Sequence, residues 1–257
     1  MKIQGQHFLI TGANRGIGRA VVLMGARRKA HLHLVMRAAD PALVAELKEV
    51  GAASVQFWPA DLASRQGVEK LLSDLGQTSV DILFNNAGQL TGGLIEEQPL
   101  DDIYSMFQVN VQAVVHLTRG LLPGMIKRGR GKVVNNASVS AIMHFPCAST
   151  YAASKAAVVA FTDCIQLELQ GTGVSTLCLI TPGIKTRMFD EIDVKYSKNL
   201  EVPKDSISTD EYAELIGQAI ERDDTYFNPT GATGMGLFVA RHLPRLFQRA
   251  VARKFHR

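Results

Sequence analysis

Short, mostly apolar runs alternate with longer stretches of helical period along most of the 257 residues. Residues 8–10, 32–36, 54–58, 81–85, 132–136 and 174–180 predict buried strands, each bounded by glycine, proline or polar residues. Between them the period lengthens over 18–29, 41–50, 63–75, 103–128 and 151–170, which predicts helices. Asp40 followed by Pro41 has the form of an N-cap and a first-turn proline. Strands alternating with helices imply parallel pairing through right-handed crossovers, hence an α/β class and one doubly wound parallel sheet in three layers. Two segments depart from the alternation. Residues 186–208 are mixed and charged, contain Pro203 and suit a loop or mobile lid; residues 231–236 are glycine-rich and precede a basic tail.

Composition agrees with a well-packed body: 46% hydrophobic and 20% charged residues exclude global disorder. Cys147, Cys164 and Cys178 have neither the number nor the spacing of a disulfide framework or a zinc site, which favours a reducing, cytoplasmic setting. The seven histidines show no metal-ligand spacing; His31 and His33 alternate along a strand and suit a structural role. The polar start, Met1 to His7, leaves no room for a signal peptide before the first strand, and no apolar run reaches the ~18 residues of a membrane span. The net charge of +4 is uneven. From Thr225 onward there is no acid, but there are Arg241, Arg245, Arg249, Arg253, Lys254 and Arg257, which leaves the first 224 residues at −2. The basicity belongs to one segment and does not imply a nucleic-acid partner.

Chemistry enters at Thr11-Gly12-Ala13-Asn14-Arg15-Gly16-Ile17-Gly18, between the first strand and the first helix. Glycines there permit a tight turn, close backbone approach to a pyrophosphate and close helix–strand packing, while the helix N-terminus favours the anion. Further on, Asp61 follows the third strand, Asn85-Asn86-Ala87-Gly88 ends the fourth, and Asn110, Ser138, Tyr151, Lys155 and Pro182-Gly183 follow in order. Tyr151 and Lys155 stand four residues apart on one helix face. A nearby ammonium favours the phenolate, so the pair is expected to lower the tyrosine pKa and let it exchange protons near neutrality.

The Gly-x-x-x-Gly-x-Gly spacing and this ordered set, over residues 5–190, resemble the short-chain dehydrogenase/reductase family. The resemblance implies a Rossmann-type domain over 1–230, including a substrate loop at 186–208, followed by an amphipathic tail at 231–257. It implies a catalytic set of Asn110, Ser138, Tyr151 and Lys155, with Lys155 also on the nicotinamide ribose and Asn110 holding a water beside it. It further implies dinucleotide contacts at Gly12, Asn14, Arg15, Gly16, Ile17, Gly18, Arg37, Asp61, Leu62, Asn86, Ala87, Gly88, Tyr151, Lys155, Pro182, Gly183 and Thr186, and no metal. The family pattern Pro-Gly-x-x-x-Thr is altered here, because Thr186 comes one position early.

An NAD site usually ends its second strand with an acid on the ribose 2′-hydroxyl. Met36 takes that place here, with Arg37 next and Arg15 in the glycine turn; two guanidiniums can hold a 2′-phosphate. The expected function is therefore an NADP(H)-dependent oxidoreductase interconverting a carbonyl and a secondary alcohol. An NAD-preferring dehydrogenase, a non-catalytic NADP(H) sensor and a membrane-surface scaffold are the alternatives. Ala141, Ile142, Met143 and Phe145 suggest an apolar pocket, with His144 and Cys147 as wall or surface. In the tail, arginines recur every fourth residue beside Val239, Leu243, Leu246, Phe247, Ala250 and Val251, with a kink at Pro244. Such a helix either packs on its own domain or lies on an anionic membrane surface, giving peripheral contact through 238–257. By resemblance, the helices at 103–128 and 151–170 build a homo-oligomer.

Overall fold

The computed structural model describes residues 1–196, 198–200 and 206–257. Seven parallel strands, β1 (His7–Thr11), β2 (His31–Met36), β3 (Ser54–Pro59), β4 (Ile82–Asn85), β5 (Gly131–Asn136), β6 (Val174–Leu179) and β7 (Tyr226–Phe227), form one sheet in the order β3-β2-β1-β4-β5-β6-β7. The order reverses between β1 and β4, where the open α/β architecture leaves a crevice at the carboxyl ends of the strands. In register, Ile10 stands beside both Leu34 and Phe84, and Asn85 beside Asn135, so the ends that build the crevice are level.

Both sheet faces are covered, which is why the strands are apolar at nearly every position. Phe8, Ile10, Leu32, Leu34, Phe84, Val134 and Leu177 point to one side and pack against α1 (Gly16–Arg27), α2 (Pro41–Val50) and a further helix at Thr209–Arg222. Leu9, Val35, Leu83 and Val133 point to the other, against α3 (Arg65–Leu75) and the helical run that starts at Leu100. Asp40 caps α2 through its carboxylate, which accepts from the Leu43 amide at 3.0 Å.

That helical run is not one continuous α-helix. It comprises α4 (Leu100–Phe107), a π-helical turn at Gln108–Gln112 and α5 (Ala113–Arg128). The wider turn surrounds the buried Asn110, and such π turns often mark functional sites. The helix expected at 151–170 is α6 (Ser149–Glu168).

One other expectation needs correction, and further helices lie beyond the predicted alternation. The charged stretch after Thr186 is not all loop: it contains α7 (Arg187–Tyr196), because Met188, Ile192 and Tyr196 recur at helical spacing and bury one face. Part of the expected loop, including Pro203, falls outside the described residues. The helix α8 (Thr209–Arg222) lies beyond the predicted alternation although its signals are plain: Ser208 accepts from the Glu211 amide, and Tyr212, Ala213, Ile216, Ala219 and Ile220 form its buried stripe. Residues 231–236 open α9 (Gly231–His242), and the tail continues after Leu243 as α10 (Pro244–Ala252). No helix among the described residues is long and apolar enough to cross a membrane.

Candidate active site

A cleft of about 980 Å³ runs along the carboxyl ends of the strands. At one end Gly12 and Gly16 adopt φ of 68° and 54°, the left-handed region that costs a residue with a Cβ about 1–2 kcal/mol. Asn14, Arg15 and Ile17 line the same turn. Arg15 stands at the N-cap of α1 without a side-chain cap, so the first helical N–H groups stay available to an anion.

Gly18 was expected among the dinucleotide contacts, but it does not line the cleft. Its place is beneath the turn, where an added Cβ would sit 2.1 Å from the Gly12 carbonyl oxygen. It is a packing glycine that lets α1 start so close to β1.

The turn is clamped from the β4 side. The Thr11 hydroxyl accepts from the Asn86 and Ala87 amides, both at 2.9 Å, and the Asn86 amide group donates to the Thr11 carbonyl at 3.0 Å. Asn136 donates to the Asn86 Oδ1 at 3.0 Å and accepts from the Thr181 hydroxyl, which in turn meets the buried Tyr212 hydroxyl at 2.7 Å. One chain of polar side chains thus ties β1, β4, β5, the end of β6 and α8 together behind the cleft. The motif reading found Asn86; it missed Thr11, Asn136 and Thr181, whose signal was their common position at strand carboxyl ends, and Tyr212, which reaches them from α8.

Arg37, exposed after β2, joins Arg15 at the rim, with Asp61 and Leu62 beside them. The carboxylate of Asp61 accepts from the Ala63 amide at 3.0 Å. Gly88, Pro182, Gly183 and Thr186 line the middle of the cleft. Despite its early position, Thr186 reaches the glycine turn: its Cγ2 would lie 3.2 Å from a Cβ placed on Gly16.

Tyr151 and Lys155 project from α6 into the cleft, with the Lys155 ammonium 5.8 Å from the Tyr151 ring centre and donating to the Asn136 carbonyl at 2.7 Å. Ser138, one strand end away, lines the cleft while its hydroxyl accepts from the Ser140 amide at 3.2 Å. Asn110 does not line the cleft. Its Oδ1 accepts from the Gln89 amide at 2.8 Å, and its Nδ2 donates to the Gln89 carbonyl at 3.0 Å and to Ser154 at 3.1 Å. Its direct partners are the Gln89 backbone and α6, so in this structure it shapes the strand-end loop beneath Lys155.

The expected acidification of the phenol does not hold here. Burial pushes the Tyr151 pKa up to about 12, with Ser138 pulling weakly the other way. Burial also brings Lys155 down to about 8. Burial thus sets the direction for both groups: at neutral pH the tyrosine is held as a phenol, the form that donates a proton.

The far end of the cleft is apolar, with Leu90, Met143, Phe145, Met188, Ile192 and Tyr196 in its wall. Ala141 is buried beside it and Ile142 packs beneath α9 with Leu237, so neither lines the cleft. The Tyr196 ring lies over Gly92, where an added Cβ would come within 2.0 Å, and its hydroxyl donates to the Thr91 carbonyl at 3.1 Å. His144 is exposed and Cys147 is buried off the cleft.

The short chain dehydrogenase family model matches residues 6–197. The chain belongs to that family. As a short-chain dehydrogenase it is an oxidoreductase that uses a nicotinamide dinucleotide on a small-molecule substrate. Among its relatives is a fatty acyl-CoA reductase of Acinetobacter baylyi, 32% identical over 229 residues, which are 85% of this chain and 74% of that protein. Among solved structures, a short-chain dehydrogenase from Sphingobium yanoikuyae in complex with NADPH superposes with a TM-score of 0.81 at 25% identity, covering 96% of this chain and 95% of that one. A short-chain dehydrogenase/reductase from Burkholderia phymatum in complex with NAD gives a TM-score of 0.82 at 26% identity, with 96% of each chain covered.

Proposed function

We propose that this short-chain dehydrogenase is an NADP(H)-dependent oxidoreductase that interconverts an apolar carbonyl compound and its secondary alcohol, with Tyr151 as the acid/base. The observation that carries the reading is the buried group of Tyr151, Lys155 and Ser138 facing one cleft that begins at an anion-binding turn. The residues fit a dinucleotide, since Gly12 and Gly16 line the cleft in the left-handed backbone conformation of a tight turn and the first N–H groups of α1 carry no side-chain cap. When bound, the cofactor supplies the hydride that forms the new C–H bond.

In reduction, Tyr151 gives its proton to the carbonyl oxygen and is left as a phenolate. Ser138 donates a hydrogen bond to the same oxygen as charge builds on it. Lys155, anchored by the Asn136 carbonyl, holds positive charge beside the phenolate until it recovers a proton. In oxidation the order reverses, and Tyr151 must first be ionised against its burial.

Three features support NADP(H). Arg15 and Arg37 share the rim, Met36 replaces the acid of an NAD site, and Asp40 is spent on capping α2. The apolar far wall supports a lipophilic substrate, in keeping with the name of the Acinetobacter relative. Contacts of Asn14, Ile17, Leu62, Ala87, Gly88 and Thr186 with the cofactor follow from their place along the cleft. The same reading extends to a cytoplasmic homo-oligomer that touches a membrane peripherally through 238–257.

The test pairs NADPH or NADH with ketones of increasing apolar size, on the wild type and on Tyr151→Phe. The expected result is NADPH consumption by the wild type, with binding retained and turnover lost in Tyr151→Phe. Turnover by Tyr151→Phe at the wild-type rate overturns the mechanism, and turnover with NADH alone overturns the cofactor assignment.

A further inference from the structure

The C-terminal helices turn two different faces to the world. Phe247 meets Phe145 edge-on at 5.7 Å between ring centres, Val251 and Ala252 face α6 across a groove, and Phe255 joins the apolar cluster that contains Tyr151 and Tyr196. The chain end is tied to the segment after α7: the His256 amide donates to the Asn199 carbonyl at 2.9 Å, Asn199 donates back to the His256 carbonyl at 3.0 Å, and Arg257 pairs with Glu96. Half of the expected apolar stripe thus packs on its own domain.

Leu243 and Leu246 of that stripe do not: they stand 51% and 57% exposed, and Met235 and Phe238 of α9, outside the expected stripe, stand 71% and 61% exposed. Around them Arg241, Arg245, Arg249 and Arg253 are exposed and make no ion pair among the described residues. The first turn of α9, at Ala232 and Thr233, lines the cleft, so this outer face adjoins the substrate end.

We propose that the outer face of α9 and α10 is a docking surface for an anionic bilayer, with Met235, Phe238, Leu243 and Leu246 entering the interface and the four arginines meeting lipid headgroups. The inference deepens the peripheral-contact reading given above and rests on it for the lipophilic substrate. Charge selects the occupant. The segment from Thr225 holds six basic residues and no acid, so a second copy related by two-fold symmetry would set arginine against arginine. A bilayer with anionic headgroups offers the opposite charge and an apolar layer beneath it, which matches exposed large apolar side chains ringed by arginines.

The full chain is floated with vesicles of phosphatidylcholine alone, or with phosphatidylserine added, at low and high salt. The wild type is expected to float with the phosphatidylserine vesicles at low salt and to be released by high salt. Phe238→Ser/Leu246→Ser and Arg245→Glu/Arg249→Glu are each expected to lower the bound fraction about tenfold, while Lys48→Glu/Lys127→Glu, on other helices, leaves it unchanged. A wild type that stays at the bottom of the low-salt gradient overturns the proposal. So does a Phe238→Ser/Leu246→Ser protein that floats as well as the wild type. A wild-type dimer in sedimentation that this variant dissociates, with no flotation, assigns the face to a second copy and likewise overturns it. NADPH binding is followed in the same samples by nucleotide fluorescence. Flotation by a protein that binds no NADPH sinks the catalytic reading and leaves the surface standing.

Discussion

The two ends of the sheet both bury titratable side chains, and they do so for opposite purposes. At the amino ends, His7, His31 and His33 stack across β1 and β2, with ring centres of His7 4.6 Å from His31 and 5.3 Å from His33. Trp58 Nε1 donates to His33 Nδ1 at 3.1 Å, which leaves the proton on His33 Nε2 to be donated to His7 Nδ1 at 3.0 Å. Buried Asp81 accepts from the His7 amide and pairs with Arg130. Lys132, with no exposed side chain, is held by Asp223 and Ser175. Every one of these groups has a partner within the protein. At the carboxyl ends, Tyr151, Lys155 and Ser138 sit just as deep but face a cleft. Partners turned inward make a group structural; a group of the same type turned toward open space is left free for chemistry.

The largest effect belongs to the open end. Tyr151→Phe removes the proton donor and keeps the ring that packs against Ala148 and Phe145, so turnover should fall about 10³-fold within the 10²–10⁴ range of general acid catalysis. Thermal midpoint and NADPH binding should stay near wild type. A loss of binding equal to the loss of turnover would make Tyr151 a structural residue and erase the contrast between the two ends.

At the closed end the readout is stability. Burial brings the His33 pKa down to about 4, with His7 and His31 pushing the same way and Asp81 opposing. Above pH 6.5 both the folded and unfolded states hold the ring neutral. Below it the unfolded chain takes up a proton that the folded protein refuses, so stability falls as pH drops from about 6.5 toward 4 and levels off below. The loss should reach about 2–3 kcal/mol. Urea midpoints followed by Trp58 fluorescence check it, and His33→Gln should flatten the slope. An equally steep loss in that variant would place the titration elsewhere.

Asp223→Asn should cost about 2 kcal/mol, because it takes the countercharge from the buried Lys132 ammonium and leaves it only neutral oxygens to bond; the half-exposed carboxylate keeps the cost below that of a fully buried pair. Asparagine tolerates the left-handed conformation at this helix end, so the backbone is spared. Adding Lys132→Met should restore most of the loss. If the double variant is no more stable than the single, the pair is not what Asp223 contributes.

How legible each end was in the sequence follows from the same contrast. The glycine turn, Tyr151, Lys155 and Asn86 were readable because their chemistry demands particular residue types at close spacing. The polar chain from Thr11 through Asn136 and Thr181 to Tyr212 was not, since its members meet only when the fold brings distant strand ends and α8 together. The direction of the tyrosine pKa was hidden for a related reason: spacing shows the neighbouring ammonium but not the depth of burial that raises the pKa. In α7 the 188, 192, 196 periodicity was visible but masked by the charges between. The π turn at Asn110 has no signature in residue type at all.

The smallest expected effect lies at the exposed rim, and it sharpens the contrast from outside. Arg37 is open to solvent, so the proposed bond to a 2′-phosphate would compete with water and salt. A hydrogen bond to a charged group contributes about 1.5–3 kcal/mol at best, and screening brings this toward 1.4 kcal/mol, a factor of about ten. Arg37→Ala should therefore lower the NADPH-to-NADH ratio of kcat/KM about tenfold while leaving kcat with saturating NADPH nearly unchanged, because the rim lies far along the cleft from Tyr151. Arg15→Ala should weaken both cofactors, since Arg15 also stands in the turn proposed to cradle the pyrophosphate. Met36→Asp/Arg37→Ala goes further by restoring the acid that bonds the 2′-hydroxyl, and should invert the preference. Steady-state kinetics with the two cofactors decide the matter: a ratio unmoved by Arg37→Ala would leave Arg37 a solvated surface residue and take the NADP(H) preference away from this rim.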